Sequence, residues 1–181
     1  MTSILTRDLL MNFLMGLTAL VILVLAAIAP AAKEDPLDPP GNLVASIAWP
    51  AGSIDVDLWV GHGEEAVGYS RRSGLVWSLL RDDLGTANDP TPLNMEAAFT
   101  RGLPDGEYIV NVKCFGCAGK VPVQVSVEVR LAEGPIVFRG VVDLVKDKQE
   151  RTSVRFRVRD GKVVRGSESS VFVALSNKGG K

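Results

Sequence analysis

Asp8 stands immediately before the uncharged stretch Leu9–Ala29, and Asn12 follows it by four residues. On a helix that spacing stacks a carboxyl and an amide on one face. A carboxyl in apolar surroundings is costly to ionise unless water or a partner meets it, which suits it to carrying a cation between two environments. Farther along, Asp55 and Asp57 alternate in SIDVDLWV, and RDDLGTANDP adds Asp82, Asp83, Asn88 and Asp89. Hard oxygen donors of this kind suit Ca2+, which takes about 6 to 8 of them, although the spacing is not that of a helix–loop–helix calcium loop. The same side chains could instead cap turns by bonding loop backbone.

The remaining reactive types are sparse. Cys114 and Cys117 in CFGC have the spacing of a redox pair, but the flanking EYIVNVK and KVPVQVSVEV read as strands, without the helix a redox motif would open. A local hairpin disulfide or two free thiols is expected there. His62, the one histidine, falls in GHG, an expected turn, and no serine sits in a nucleophile-elbow pattern. The chain therefore reads as non-enzymatic. In RTSVRFRVRDGK, Arg155, Arg157 and Arg159 share one strand face and Val154, Phe156 and Val158 the other. Such a row could grip an anionic envelope polymer or an acidic partner, or form a solvated edge that discourages strand pairing.

Two regions would position these groups. A helix the length of Leu9–Ala29, at about 1.5 Å per residue, matches a hydrocarbon core about 30 Å thick. One transmembrane helix is expected over residues 9–30, after a short cytoplasmic tail, 1–8. A cleaved signal peptide is the rival, given small residues at Ala27, Ala29 and Ala31. The apolar run exceeds the usual core of about 7 to 15 residues, and Arg7 beside Asp8 is not a basic cluster. Arg7 and the terminal amine before the span, against Lys33 after it, favour a cytoplasmic N-terminus by a small margin. In a bacterial inner membrane the rest of the chain would then be periplasmic.

Residues 31–41, with KEDPLDPPG, form a stiff, extended, proline-rich linker. Over 42–176 a period of two dominates: NLVASIAW, IDVDLWV, VWSLL, MEAAFTR, EYIVNVKCF, VPVQVSVEVRL, IVFRGVVDLV, RTSVRFRVRD and VFVAL are strand candidates. LPDGE, AEGP and RDGK separate them as turns. An all-β antiparallel sandwich is expected, followed by a flexible tail, 177–181. Net charge is −1 and the pI about 5.9, which gives nucleic-acid binding no electrostatic support.

On a helical wheel Asp8, Asn12, Met15, Ala19 and Ala26 fall within about 40° of one direction, with Gly16 at their flank. Small residues allow helices to approach closely, and polar ones prefer protein or water to lipid, so this helix expects other helices around it. The acidic residue, this span, the AP that follows and an exported domain together resemble the B subunits of ion-driven motors: the MotB, ExbD and TolR proteins. The resemblance covers Arg7 to about Lys33. It implies that Asp8 carries a proton or sodium ion, that Asn12 lines the same route, and that Gly16 and Ala19 pack against neighbours. It further implies a homodimer threading a ring of multi-span MotA/ExbB-like A subunits, in a five-to-two-like stator arrangement that passes force to an envelope component.

Arg7 adjoining the aspartate departs from that pattern, and so does an exported part unlike the peptidoglycan-binding domain of MotB or the α/β domain of ExbD. Without the drive, Asp8 would cap an anchor helix and the chain would be a tethered adhesion or scaffold module. Separately, DVDLWV, YSRRSGLVWSLLRDDLG and LPDGEYIVNV, across Ile47–Val112, resemble bacterial extracytoplasmic modules similar to prepeptidase-C-terminal domains. That resemblance implies a non-catalytic binding or scaffolding sandwich.

Overall fold

The computed structural model describes residues 2–28, 41–84 and 93–178, and the chain divides into two units, Met1–Leu37 and Asp38–Lys181. In the first, helix α1 runs over Thr2–Ile28. Leu, Met and Ala, all good helix formers, dominate it, and Ile4 and Leu5 extend its apolar character ahead of the charged pair. Within α1, Ser3–Leu25 is long and apolar enough to cross a membrane, with a mean hydropathy of 2.2. The helix starts well before residue 9, so Asp8 is an interior residue and not its cap, and the first turn holds no acidic residue.

The second unit is the expected antiparallel sandwich. Its strands are β1 (Leu43–Trp49), β2 (Asp55–His62), β3 (Glu65–Val67), β4 (Trp77–Arg81), β5 (Asn94–Thr100), β6 (Gly106–Gly116), β7 (Val123–Leu131), β8 (Ile136–Leu144), β9 (Glu150–Arg159) and β10 (Lys162–Val163). One sheet has the order β4-β5-β1-β7-β8, the other β10-β9-β6-β2-β3. The period-two pattern turns one side of each strand inward. Leu43, Ala45 and Ile47 of β1 and Val123, Val125, Val127 and Val129 of β7 meet Val56, Leu58 and Val60 of β2 and Val154, Phe156 and Val158 of β9 in one core. Trp77, Tyr108 and Phe156 are among its largest fully buried side chains, with Tyr108 stacked on Phe156 at 5.6 Å between ring centroids.

The chain departs from the sequence expectation at two places. CFGC is not in a hairpin, because β6 and β7 belong to opposite sheets and the motif turns the corner between them. VFVAL, residues 171–175, is not a strand. It lies across the outer face of the β2-containing sheet, and side chains meet its backbone where a ladder otherwise would. Val173 N–H donates to Thr152 Oγ1 at 3.0 Å, Leu175 N–H to Glu150 Oε1 at 2.9 Å, and Asn111 Nδ2 donates to Val173 O at 2.7 Å. Leu175, 1% exposed, closes a small second core with Trp59, Ala66 and Ile109 on that face. A turn follows, in which the Lys178 N–H donates to Leu175 O and the Lys178 Nζ pairs with Glu64 at 3.3 Å. β3 and β10 are too short to leave a periodic signal.

Candidate functional site

In α1, Asp8 and Asn12 are exposed in the single chain, and among the described residues neither side chain has a partner. Arg7 and Asp8 form no ion pair, because adjacent positions on a helix point about 100° apart. Met15, Gly16 and Ala19 continue the face. The side chain of Ala26 lies outside the described residues. Thr18, by contrast, is satisfied internally: its hydroxyl bonds Leu14 O and Met15 O at 3.1 and 2.9 Å. On this face the carboxyl of Asp8 and the amide of Asn12 are exposed together, one turn apart.

A second polar cluster lies at one corner of the sandwich. Asp55, Asp57 and Trp59 share the outward face of β2, since Val56, Leu58 and Val60 take the core. Asp82 and Asp83 follow β4 directly. Asp83 is buried and closes the start of β5: its Oδ2 accepts from Met95 N at 3.1 Å and pairs with Arg81 at 2.9 Å. The sequence reading missed Glu96. It is 1% exposed on β5, where Oε2 accepts from Leu58 N at 2.7 Å and Oε1 from Asp83 N at 3.3 Å. In NMEAAFT, Asn94, Glu96 and Thr100 alternate onto one strand face, a pattern that reads as solvated from sequence, yet all three are buried. Asn88 and Asp89 lie outside the described residues.

Burial dominates the electrostatics here. It raises Glu96 to about 9 against the hydrogen bond from Leu58, with Asp57 and Asp82 adding repulsion. Asp57 is raised to about 7, first by burial and then by the charge of Asp55. Asp55 is raised by burial and by Asp82. Asp55, Asp57 and Glu96 therefore share one low-dielectric corner, on which the charge of Asp82 acts.

The other expected sites are structural. Cys114 and Cys117 are joined as a disulfide, both buried. Among the described residues they and Asp147 form the one group whose metal-ligating atoms lie within 4.8 Å of one another. The bonded sulfurs offer no thiolates, and Asp147 Oδ1 accepts from Cys117 N at 2.9 Å, so this is a braced corner and not a metal centre. His62 ends β2 instead of occupying a turn, with its ring against Tyr108 at 4.8 Å. Arg155 is paired with Glu107 at 2.6 Å, and its backbone exchanges hydrogen bonds with Ser169. Arg157 and Arg159 are exposed, but Asp105 and Glu107 lie beside them in a shared depression, so the surface there is of mixed sign.

Comparison with family models, curated proteins and solved structures finds no match to this chain.

Proposed function

We propose that the chain is a non-enzymatic, single-pass B-type subunit of an ion-driven rotary complex, in which Asp8 is the titrating carboxyl. The observation that carries this reading is the place of Asp8: inside an apolar helix, beyond its first turn, without a partner among the described residues and one turn before Asn12. A lone anchor gains nothing from a charge at that depth, whereas a helix enclosed by others can give it a polar path. Gly16 and Ala19 on the same face permit close packing. In this reading two copies pair inside a ring of multi-span A subunits in the bacterial inner membrane. The N-terminus is cytoplasmic, and the periplasmic sandwich transmits force to an envelope component.

The test is to find whether a multi-span A-type protein is encoded beside this chain, to co-express the two, and to purify through a tag on this chain for native mass spectrometry of the complex in detergent. The expected result is a stable assembly with two copies of this chain and a larger number of A subunits. A chain that purifies alone as a monomer would overturn the proposal and leave a tethered scaffold module.

A further inference from the structure

The two sheets end in edges of unequal length. β3, β4 and β10 have three, five and two residues, whereas β8 has nine, contains no proline, and among the described residues pairs with β7 alone. Its side chains alternate: Val142 and Leu144 enter the core, while Arg139, Val141 and Asp143 stand outward, Val141 at 62% exposure. The main chain at those outward positions also faces away from β7. Asp143 O accepts from Arg151 Nη1 at 3.1 Å, and Val145 N–H donates to Gln149 Oε1 at 2.7 Å, so the odd-numbered residues direct their N–H and C=O groups to the open edge. Among the described residues no side-chain cap of that kind closes the edge at Arg139 or Val141. An open edge of this length is a template for another strand.

The edge is complementary to itself. In an antiparallel pair centred on Val141, that residue meets Val141 of a second copy, and Arg139 of each chain stands opposite Asp143 of the other. Arg139 is held for this by β7: its Nε and Nη2 donate to Glu128 Oε2 at 2.9 and 2.6 Å, and a guanidinium has further N–H groups for a second carboxylate. The Asp143 carboxylate has no partner among the described residues. A parallel pairing in register would instead bring like charges together.

We propose that the sandwiches of two copies join through β8, antiparallel about Val141, so that the two β8-containing sheets continue as one. Residues 139, 141 and 143 of each chain exchange about six main-chain hydrogen bonds in this arrangement. The Asp143 carbonyl has two lone pairs and can take the new donor beside Arg151. One strand junction buries less than a stable interface needs, so the contact is weak between free chains and is strengthened when an anchoring helix holds two copies in one membrane. The pairing names the surface through which two copies meet outside the membrane. It does not rest on the drive proposed for α1, since a tethered module pairs in the same way.

The experiment uses the full chain in membranes, with a single cysteine introduced on β8 and mild oxidation; Cys114 and Cys117 are already joined and buried. Across a hydrogen-bonded antiparallel pair the Cα atoms lie about 5.5 Å apart, within reach of a disulfide. Val141→Cys should therefore link two chains. Val145→Cys, on the same edge but about 26 Å from its counterpart in this register, should not. In the Val141→Cys background, Arg139→Asp and Asp143→Arg should each lower linking at least about fivefold, because like charges then face each other. Co-expressing those two variants with different tags should restore linking between them, since each supplies the charge the other lacks, and a folding defect would not be rescued in this way. Absence of the Val141→Cys link, equal linking at Val145→Cys, or no recovery in the mixed pair would overturn the proposal. None of these readouts involves ion flux, so the pairing and the drive stand or fall separately.

Discussion

Glu96 Oε2 accepts the Leu58 N–H at 2.7 Å and so joins a side chain of one sheet to the backbone edge of the other. The bond exists because β3 is short: it covers β2 only over Val60–His62, which leaves the N–H of Leu58 outside the ladder. A buried N–H needs an acceptor, and Glu96 reaches it from β5 while also taking the N–H of Asp83.

Glu96→Ala should therefore cost about 2–4 kcal/mol, since two buried donors lose their acceptor and a cavity opens. Glu96→Gln keeps the shape and one acceptor oxygen and should cost less than half as much. Urea denaturation of the EDTA-treated protein measures both, and equal losses would show that the charge, not the acceptor geometry, matters at this position.

Stability should also depend on pH in a defined sense. Glu96 is raised from 4.5 to about 9 in the folded state and Asp57 from 3.8 to about 7. Folded carboxyls that hold their protons more tightly than the unfolded chain stabilise the fold fully below the unfolded values, and lose that contribution as pH rises through the folded ones. Melting temperature in EDTA should fall from about pH 4.5 to pH 9, and Glu96→Gln should flatten the upper part of that fall. A flat profile would mean that the corner stays ionised when folded.

Much of the sandwich was legible because a strand buried on one face writes a period of two, as in VPVQVSVEVRL and RTSVRFRVRD. VFVAL has the same period without being a strand. Its backbone is satisfied by Thr152, Glu150 and Asn111, partners that no local pattern announces. Asp55 and Asp57 could be placed on one face from their spacing, but Glu96 could not be singled out, because its acceptors' partners lie on a strand 38 positions earlier in sequence. The depth of Asp8 was hidden because Arg7 and Asp8 look like the edge of a span, whereas α1 runs on to Thr2.

The strap formed by residues 171–175 should be a packing element. Leu175 is 1% exposed, and a Cβ on Gly61 would come within 2.8 Å of its Cδ2, so strand and strap fit without spare room. Leu175→Ala should cost about 2–4 kcal/mol by cavity formation. Gly61→Ala should also destabilise, by overpacking. Chemical denaturation checks both, and a neutral Leu175→Ala would show that the strap rests on its hydrogen bonds alone.

Reducing the Cys114–Cys117 disulfide should have a modest effect. A loop this short loses little chain entropy on closure, about 2 kcal/mol in the entropic model. Asp147 still holds the corner through Cys117 N. The midpoint of urea unfolding with and without reductant measures the difference, and complete unfolding on reduction would contradict it.

The last expectation concerns Asp8, and it separates a motor from an anchor. In a closed assembly the carboxyl would alternate between a protonated form against apolar walls and an ionised form facing a polar path, and that alternation couples ion flow to movement. Asparagine keeps the size and hydrogen-bonding shape of the side chain but cannot titrate. Asp8→Asn should therefore leave expression, membrane insertion and co-purification with the A subunit unchanged, while abolishing ion flux in proteoliposomes and the cellular activity. Asp8→Glu, which titrates from a longer side chain, should retain part of both. Because α1 begins at Thr2, loss of a helix cap cannot account for the asparagine phenotype. Normal flux in the Asn variant would show that Asp8 carries no ion.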